Sequence, residues 1–177
     1  MQGGGNKAFS FGKSKAKMFN MDKPDITFED VAGCDEAKYE LQEIIDFLRA
    51  PQKFQRLGGR IPKGALLVGA PGTGKTLCAE AVAGELNRPL MARSLAGLLS
   101  RWVGGSEHNV TRMFEDAKRD NAVLFLDEAD GLLGARTREG AKHDNRMVNL
   151  LLTLIERHDG VVLLATNLPD HLDPALA

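Results

Sequence analysis

The stretch Leu66–Glu80, LLVGAPGTGKTLCAE, sets an apolar run against a glycine-rich turn that closes on Lys75 and Thr76. Its central octet GAPGTGKT, Gly69 to Thr76, fits the spacing G-x-x-x-x-G-K-[ST]. The octet follows a run with strand character and opens one with helical periodicity, which is the setting a phosphate-cradling loop needs. Glycines at 69, 72 and 74 let the backbone turn tightly around phosphates. The helix N-terminus adds unpaired N–H groups and the positive end of its dipole. Lys75 is expected to neutralise the β- and γ-phosphates of a nucleotide, and the Thr76 hydroxyl to ligate Mg²⁺. Ala70, Pro71, Thr73 and Leu77 complete this predicted binding segment.

Outward from the loop, apolar runs at Ala65–Val68, Leu90–Ala92, Val123–Leu126 and Val161–Ala165 read as short strands. Three of them are apolar throughout, the pattern of strands buried on both faces of a parallel sheet. Between them fall helical periodicities: Cys78, Ala79, Val82, Ala83 and Leu86, ending before Pro89; Val110, Met113, Phe114 and Ala117; and Met147, Leu150, Leu151 and Leu154, ending at Gly160. An earlier one, Ala37, Leu41, Ile44, Ile45 and Leu48, starts at Asp35 and stops before Pro51. Alternation of strand and helix predicts an α/β domain with right-handed crossovers and ligands at the carboxyl ends of the strands.

A phosphate loop needs carboxylates opposite it, and VLFLDEAD places Asp127 and Glu128 at the end of the third run. Asp127 is expected to hold Mg²⁺ through its water shell. Glu128 is then positioned to polarise an attacking water, a hydrolytic role that kinases do not need. Asn167, just beyond the fourth run in LLATNLPD, could orient the same water.

With 177 residues, 43% of them apolar and 27% charged, the chain suits one soluble domain with a real core. Twenty-three basic against 24 acidic residues, net −1, give no electrostatic reason to expect nucleic acid. Cys34 and Cys78 fit no metal spacing, suggest a reducing compartment, and read as small buried apolar side chains. No apolar run approaches the roughly 18 residues of a membrane span. Residues 1–23 read as a flexible basic arm and residues 24–177 as the folded unit.

The segments ITFEDVAGCDEAKYELQEIIDFL and FQRLGGRIPKGALLVGAPGTGKTL resemble the AAA+ ATPases, in particular the ATPase domain of FtsH-type membrane-bound, ATP-dependent zinc metalloproteases. The likeness runs from about Phe9 to about Gly84. It implies a three-layer αβα P-loop NTPase fold with a mostly parallel sheet, ATP and Mg²⁺ as cofactors, and catalytic roles for Lys75, Glu128 and Asn167. The DVAG loop of that family lies against adenine, so Val31 and Ala32 are carried over as nucleotide-binding. Related rings place an aromatic pore loop at Trp102, Val103 and Gly104, where it grips threaded polypeptide. Protein substrates, a hexameric ring in the full-length protein, and a location in the cytoplasm or on the cytoplasmic face of a membrane follow, with membrane attachment only through segments outside this chain.

Some features depart from that pattern. Position 70 is Ala where the family usually has Pro, and Val161 follows HDG where FtsH relatives carry the Phe of an intersubunit segment. Trp102 with SEHNV, and LDEAD, look more like the disassembly branch of AAA proteins. HDNR at His143 to Arg146 echoes the family's HDER, and Arg136 and Arg138 read as a solvated charged loop. The chain stops at Ala177, before the segment that in the family provides the arginine finger, the last strand and the helical lid, and it contains no H-E-x-x-H. Loss of that strand is expected to leave the phosphate-loop strand at a sheet edge. The expected function is ATP hydrolysis by a module that, in full length, unfolds and threads proteins for proteolysis. The alternatives are a protease-free disassembly or segregase ATPase, and an ATP-binding module with little hydrolysis for want of the arginine finger. A DNA motor fits the loop but neither the charge balance nor the DVAG segment.

Overall fold

The structure is a computed structural model, and it describes residues 23–55, 64–95, 97, 106–130 and 142–168. The elements in chain order are α1 (Asp35–Arg49), α2 (Pro51–Gln55), β1 (Gly64–Val68), α3 (Lys75–Glu85), β2 (Leu90–Ser94), α4 (Ser106–Arg119), β3 (Val123–Asp127), α5 (Lys142–Arg157) and β4 (Val162–Thr166). All four strands pair in parallel, in the spatial order β1-β4-β3-β2. Each run expected to be a strand is one, within two residues at either end. The expected fold class is the one found, an α/β sheet with helices on both faces.

The burial pattern shows why. Leu124, Leu126, Val162 and Leu164 point to one face, where Val110, Met113, Phe114 and Ala117 of α4 and Met147, Val148 and Leu151 of α5 cover them. Val123, Phe125, Leu163 and Ala165 point to the other, against Leu41 and Ile45 of α1 and Cys78, Ala79, Val82 and Ala83 of α3. The central strands therefore alternate between two cores without exposing a residue, and their sequence is apolar at every position but the last, Asp127 and Thr166. Among the described residues β1 has a neighbour on one side only; Gly64–Leu67 are half-buried and Val68 is exposed.

Two helices end by a device the proline rule does not capture. Asn87 and Asn121 take left-handed backbone angles, φ 53° and 50°. The following amides reach back five residues, Arg88 N–H to the Ala83 carbonyl and Ala122 N–H to the Ala117 carbonyl, each at 2.9 Å. Asn thus stops α3 before Pro89 is reached. On the outer side of α3, the segment leading to Val31 crosses so closely that a Cβ on Gly84 would lie 1.9 Å from the Ile26 carbonyl oxygen. Ile26 and Phe28 from that segment pack on the α1/α3 core.

Candidate active site

Parallel pairing brings all four carboxyl ends to one edge, with Val68 beside Thr166, Leu126 beside Leu164, and Ser94 beside Asp127. The loop after β1 leaves this edge with the Gly69 N–H donating to the Thr166 carbonyl at 3.2 Å. It then turns through Gly72 and Gly74 at φ 80° and 88°, angles that side-chain-bearing residues rarely adopt. A Cβ at Gly69 would sit 2.6 Å from Thr73 Oγ1, so any other residue there would have to displace the Thr73 hydroxyl. The Thr73 hydroxyl donates to the Ala70 carbonyl at 2.8 Å, tying the loop across itself.

Lys75 is the first residue of α3, and its ammonium curls back into the loop. It donates to the Gly69 carbonyl at 2.7 Å, the Ala70 carbonyl at 3.0 Å and Asn167 Oδ1 at 2.8 Å, which uses all three of its N–H donors. Two residues 92 positions apart in the sequence are thereby joined at the edge where β1 and β4 end. An anion entering the cradle meets a cation already held there, together with the amino end of α3. Thr76 is exposed one residue further along, and Leu77 packs on the core shared by α1 and α3.

At the end of β3 the chain departs from regular geometry. Glu128 stands at φ 57°, an unusual angle for a residue with a side chain. Its N–H donates to Asp127 Oδ1 at 2.8 Å, and its carboxylate accepts a short hydrogen bond from the Ser94 hydroxyl at the end of β2. Glu128 is turned toward β2, while Lys75 and Asn167 meet beside β1 and β4. Sequence reading found both groups of residues but not this separation.

It also missed Asp130. Its Oδ1 accepts from the Thr166 hydroxyl at 2.8 Å and from the Asn167 N–H at 3.2 Å, so one carboxylate fixes the backbone from which Asn167 reaches Lys75. Partial burial pushes the Asp130 carboxyl up, but bonds from Thr166, its own amide and the Asn167 amide, with the Lys75 charge nearby, outweigh it and hold the group below its ordinary value. The available signals were the third acid of LDEAD and a threonine directly before Asn167. Thr166 is fully buried, so its hydroxyl must have a partner.

Val31 is buried in the core cluster that contains Cys78 and Ala79, and its carbonyl accepts from Lys38 Nζ at 2.9 Å. Ala32 is exposed. Cys34, two residues on, lines a cavity of about 480 Å³ together with Gly69, Thr73 and Lys75, which brings the DVAG turn to the phosphate loop. Cys78 is buried as expected; Cys34 is exposed, a correction to its reading as a buried apolar residue. The cause is local: Cys34 precedes α1 in a left-handed conformation, φ 55°, with the helix turning away from it. Trp102, Val103, Gly104, Arg136 and Arg138 lie outside the described residues.

A glycine cradle closing on a lysine at the carboxyl edge of a parallel sheet, with an acid pair on a nearby strand, defines a P-loop NTPase. The sequence profile of the "ATPase family associated with various cellular activities (AAA)" matches residues 65–177, and the chain belongs to that family. It is 52% identical over 99% of its length to the ATP-dependent zinc metalloprotease FtsH of Haemophilus influenzae, and equally to that of Acidobacterium capsulatum. Identity to the FtsH of Caulobacter vibrioides is 51% over the same share. The chain spans about 29% of the length of these relatives. No helix among the described residues is long and apolar enough to cross a membrane.

Proposed function

We propose that the chain binds ATP with Mg²⁺ at Gly69–Thr76 and hydrolyses it, serving a larger assembly that unfolds protein substrates for proteolysis. The observation that carries this reading is the Lys75 ammonium held inside the glycine cradle and bonded to Asn167. Lys75 exchanges its two carbonyl partners for phosphate oxygens. Thr76 and Asp127 would hold Mg²⁺, which when bound supplies neutralising charge between the phosphates. Glu128 takes a proton from the attacking water, and Asn167 orients that water from the end of the neighbouring strand β4. Val31 and Ala32 border the base through backbone groups.

The wider setting rests on likeness alone. Relatives named as ATP-dependent zinc metalloproteases support delivery of unfolded protein to a protease; the resemblance to FtsH-type ATPases adds a hexameric ring held at the cytoplasmic face of a membrane by other segments. Trp102, Val103 and Gly104 would grip the polypeptide, and the near balance of charge favours no nucleic acid partner. The folded unit runs from residue 24 onward, with a basic arm before it.

Titration of the 177-residue chain with a fluorescent ATP analogue, with Mg²⁺ and with excess chelator, tests the reading. Saturable binding that tightens with Mg²⁺ is expected, accompanied by phosphate release from ATP. Absence of saturable binding in a chain shown to be folded by circular dichroism would overturn it.

A further inference from the structure

The sequence has two cysteines, Cys34 and Cys78, far apart along the chain, and the fold brings both to the wall of one cavity. That cavity, about 480 Å³, is also lined by Gly69, Thr73 and Lys75, so it opens onto the phosphate loop. Cys34 is exposed and Cys78 is buried. Both are fixed at the backbone. The Cys78 N–H donates to the Gly74 carbonyl at 2.9 Å, tying it to the last glycine of the loop. The Cys34 carbonyl accepts from the Lys38 amide at 3.0 Å, and the Lys38 ammonium clamps the preceding turn through the Val31 carbonyl at 2.9 Å.

We propose that Cys34 and Cys78 are a redox site that closes to a disulfide across this cavity and shuts it to nucleotide. The proposal rests on the ATP-binding reading above and adds a means of regulating it. Both cysteines line the same cavity, Cys34 from the turn before α1 and Cys78 from the first turn of α3. The exposed Cys34 is the one that meets an oxidant first, and the buried Cys78 is the one that resolves it.

With a small-molecule disulfide such as oxidised glutathione, the Cys34 thiolate attacks one sulfur and expels the first glutathione thiolate, leaving a mixed disulfide. Cys78 then gives its proton to solvent and attacks the Cys34 sulfur, expelling the second. Two protein thiols are oxidised and one glutathione disulfide is reduced to two thiols. The product ties the start of α1 to the first turn of α3 across the mouth of the loop. With no third cysteine in the chain, no other internal pairing competes.

The test treats the folded chain with oxidised glutathione, maps its peptides by mass spectrometry without reduction, and titrates it with the fluorescent ATP analogue before and after dithiothreitol. The expected result is a Cys34–Cys78 peptide lighter by two hydrogens, loss of analogue binding, and recovery of both on reduction. Cys34→Ser and Cys78→Ala, each checked for folding by circular dichroism, are expected to keep binding through the same treatment. Thiols that stay free, separate glutathione adducts with no cross-link, or a cross-link that leaves binding unchanged would each overturn the proposal. Failure of the untreated, reduced chain to bind the analogue counts against the ATP-binding reading instead, since the cross-link is read by mass alone.

Discussion

The two halves of the site are made of different material. Beside β1 the work falls to the backbone: left-handed glycines, a cradle where a Cβ at Gly69 would strike the Thr73 hydroxyl, and one ammonium bonded to two carbonyls. Beside β3 and β4 it falls to side chains, with Asp130 joining Thr166 and Asn167 and with Ser94 holding Glu128. A backbone device is written in a fixed sequence spacing, because only certain residues permit it. A side-chain device depends on which strands the fold sets side by side. The first half therefore answers to single substitutions by loss of binding, and the second by separable changes in turnover and stability.

The largest effect is expected from Lys75→Ala. Its three hydrogen bonds lie within the loop and to Asn167, and the α1/α3 core includes no part of it. The variant is expected to fold and to show no measurable affinity for the ATP analogue. Unchanged affinity would break the assignment of the backbone half.

Glu128→Gln comes next and divides the halves from the other side. The amide keeps the shape of the side chain and a partner for Ser94 but cannot take a proton. Binding is expected to persist while phosphate release falls by about 10²- to 10⁴-fold, the usual worth of a positioned general base. Equal loss of binding and turnover would mean that Glu128 belongs with the phosphate contacts.

The same contrast explains what could be read in the sequence. The glycine turn opening α3 at Lys75 was legible, and the strands nearly so, because apolar runs and glycine spacing follow local rules. Asp127, Glu128 and Asn167 were legible as types of residue at strand ends. The use of Asp130, Thr166 and Ser94 was not, since each acts across strands whose neighbours only the order β1-β4-β3-β2 determines. Cys34 was misread for a related reason: composition says that cysteine is usually buried, whereas a left-handed turn before α1 puts this one outside.

Thr166→Val tests the side-chain half through stability. It leaves the Asp130 carboxylate without its hydroxyl donor against a buried methyl group, a loss of about 1–3 kcal/mol in urea unfolding. The pH dependence sharpens the result. Because the folded state holds Asp130 below its ordinary value of 3.8, its contribution is present above that pH and is lost as pH falls through the lower folded value. The wild-type chain is expected to lose stability in that acid range more steeply than the variant. Parallel pH profiles would show that the Thr166 bond does not set the Asp130 carboxyl.

The smallest effect is expected from Ser94→Ala, and it bears on how the two halves communicate. Both partners of this hydrogen bond are exposed, so its loss changes stability little. Its consequence is positional: Ser94, at the end of β2, holds the Glu128 carboxylate on the side of the sheet away from Lys75 and Asn167. Without the hydroxyl, Glu128 spends more time free to turn toward the cradle. Nucleotide affinity is expected to stay the same, and phosphate release to rise by a few-fold, within the roughly tenfold that 1.4 kcal/mol represents. Ser94→Thr, which keeps the hydroxyl, is expected to restore the wild-type rate. A fall in turnover in the alanine variant would reverse the picture, making Ser94 a residue that presents Glu128 to water rather than one that holds it back.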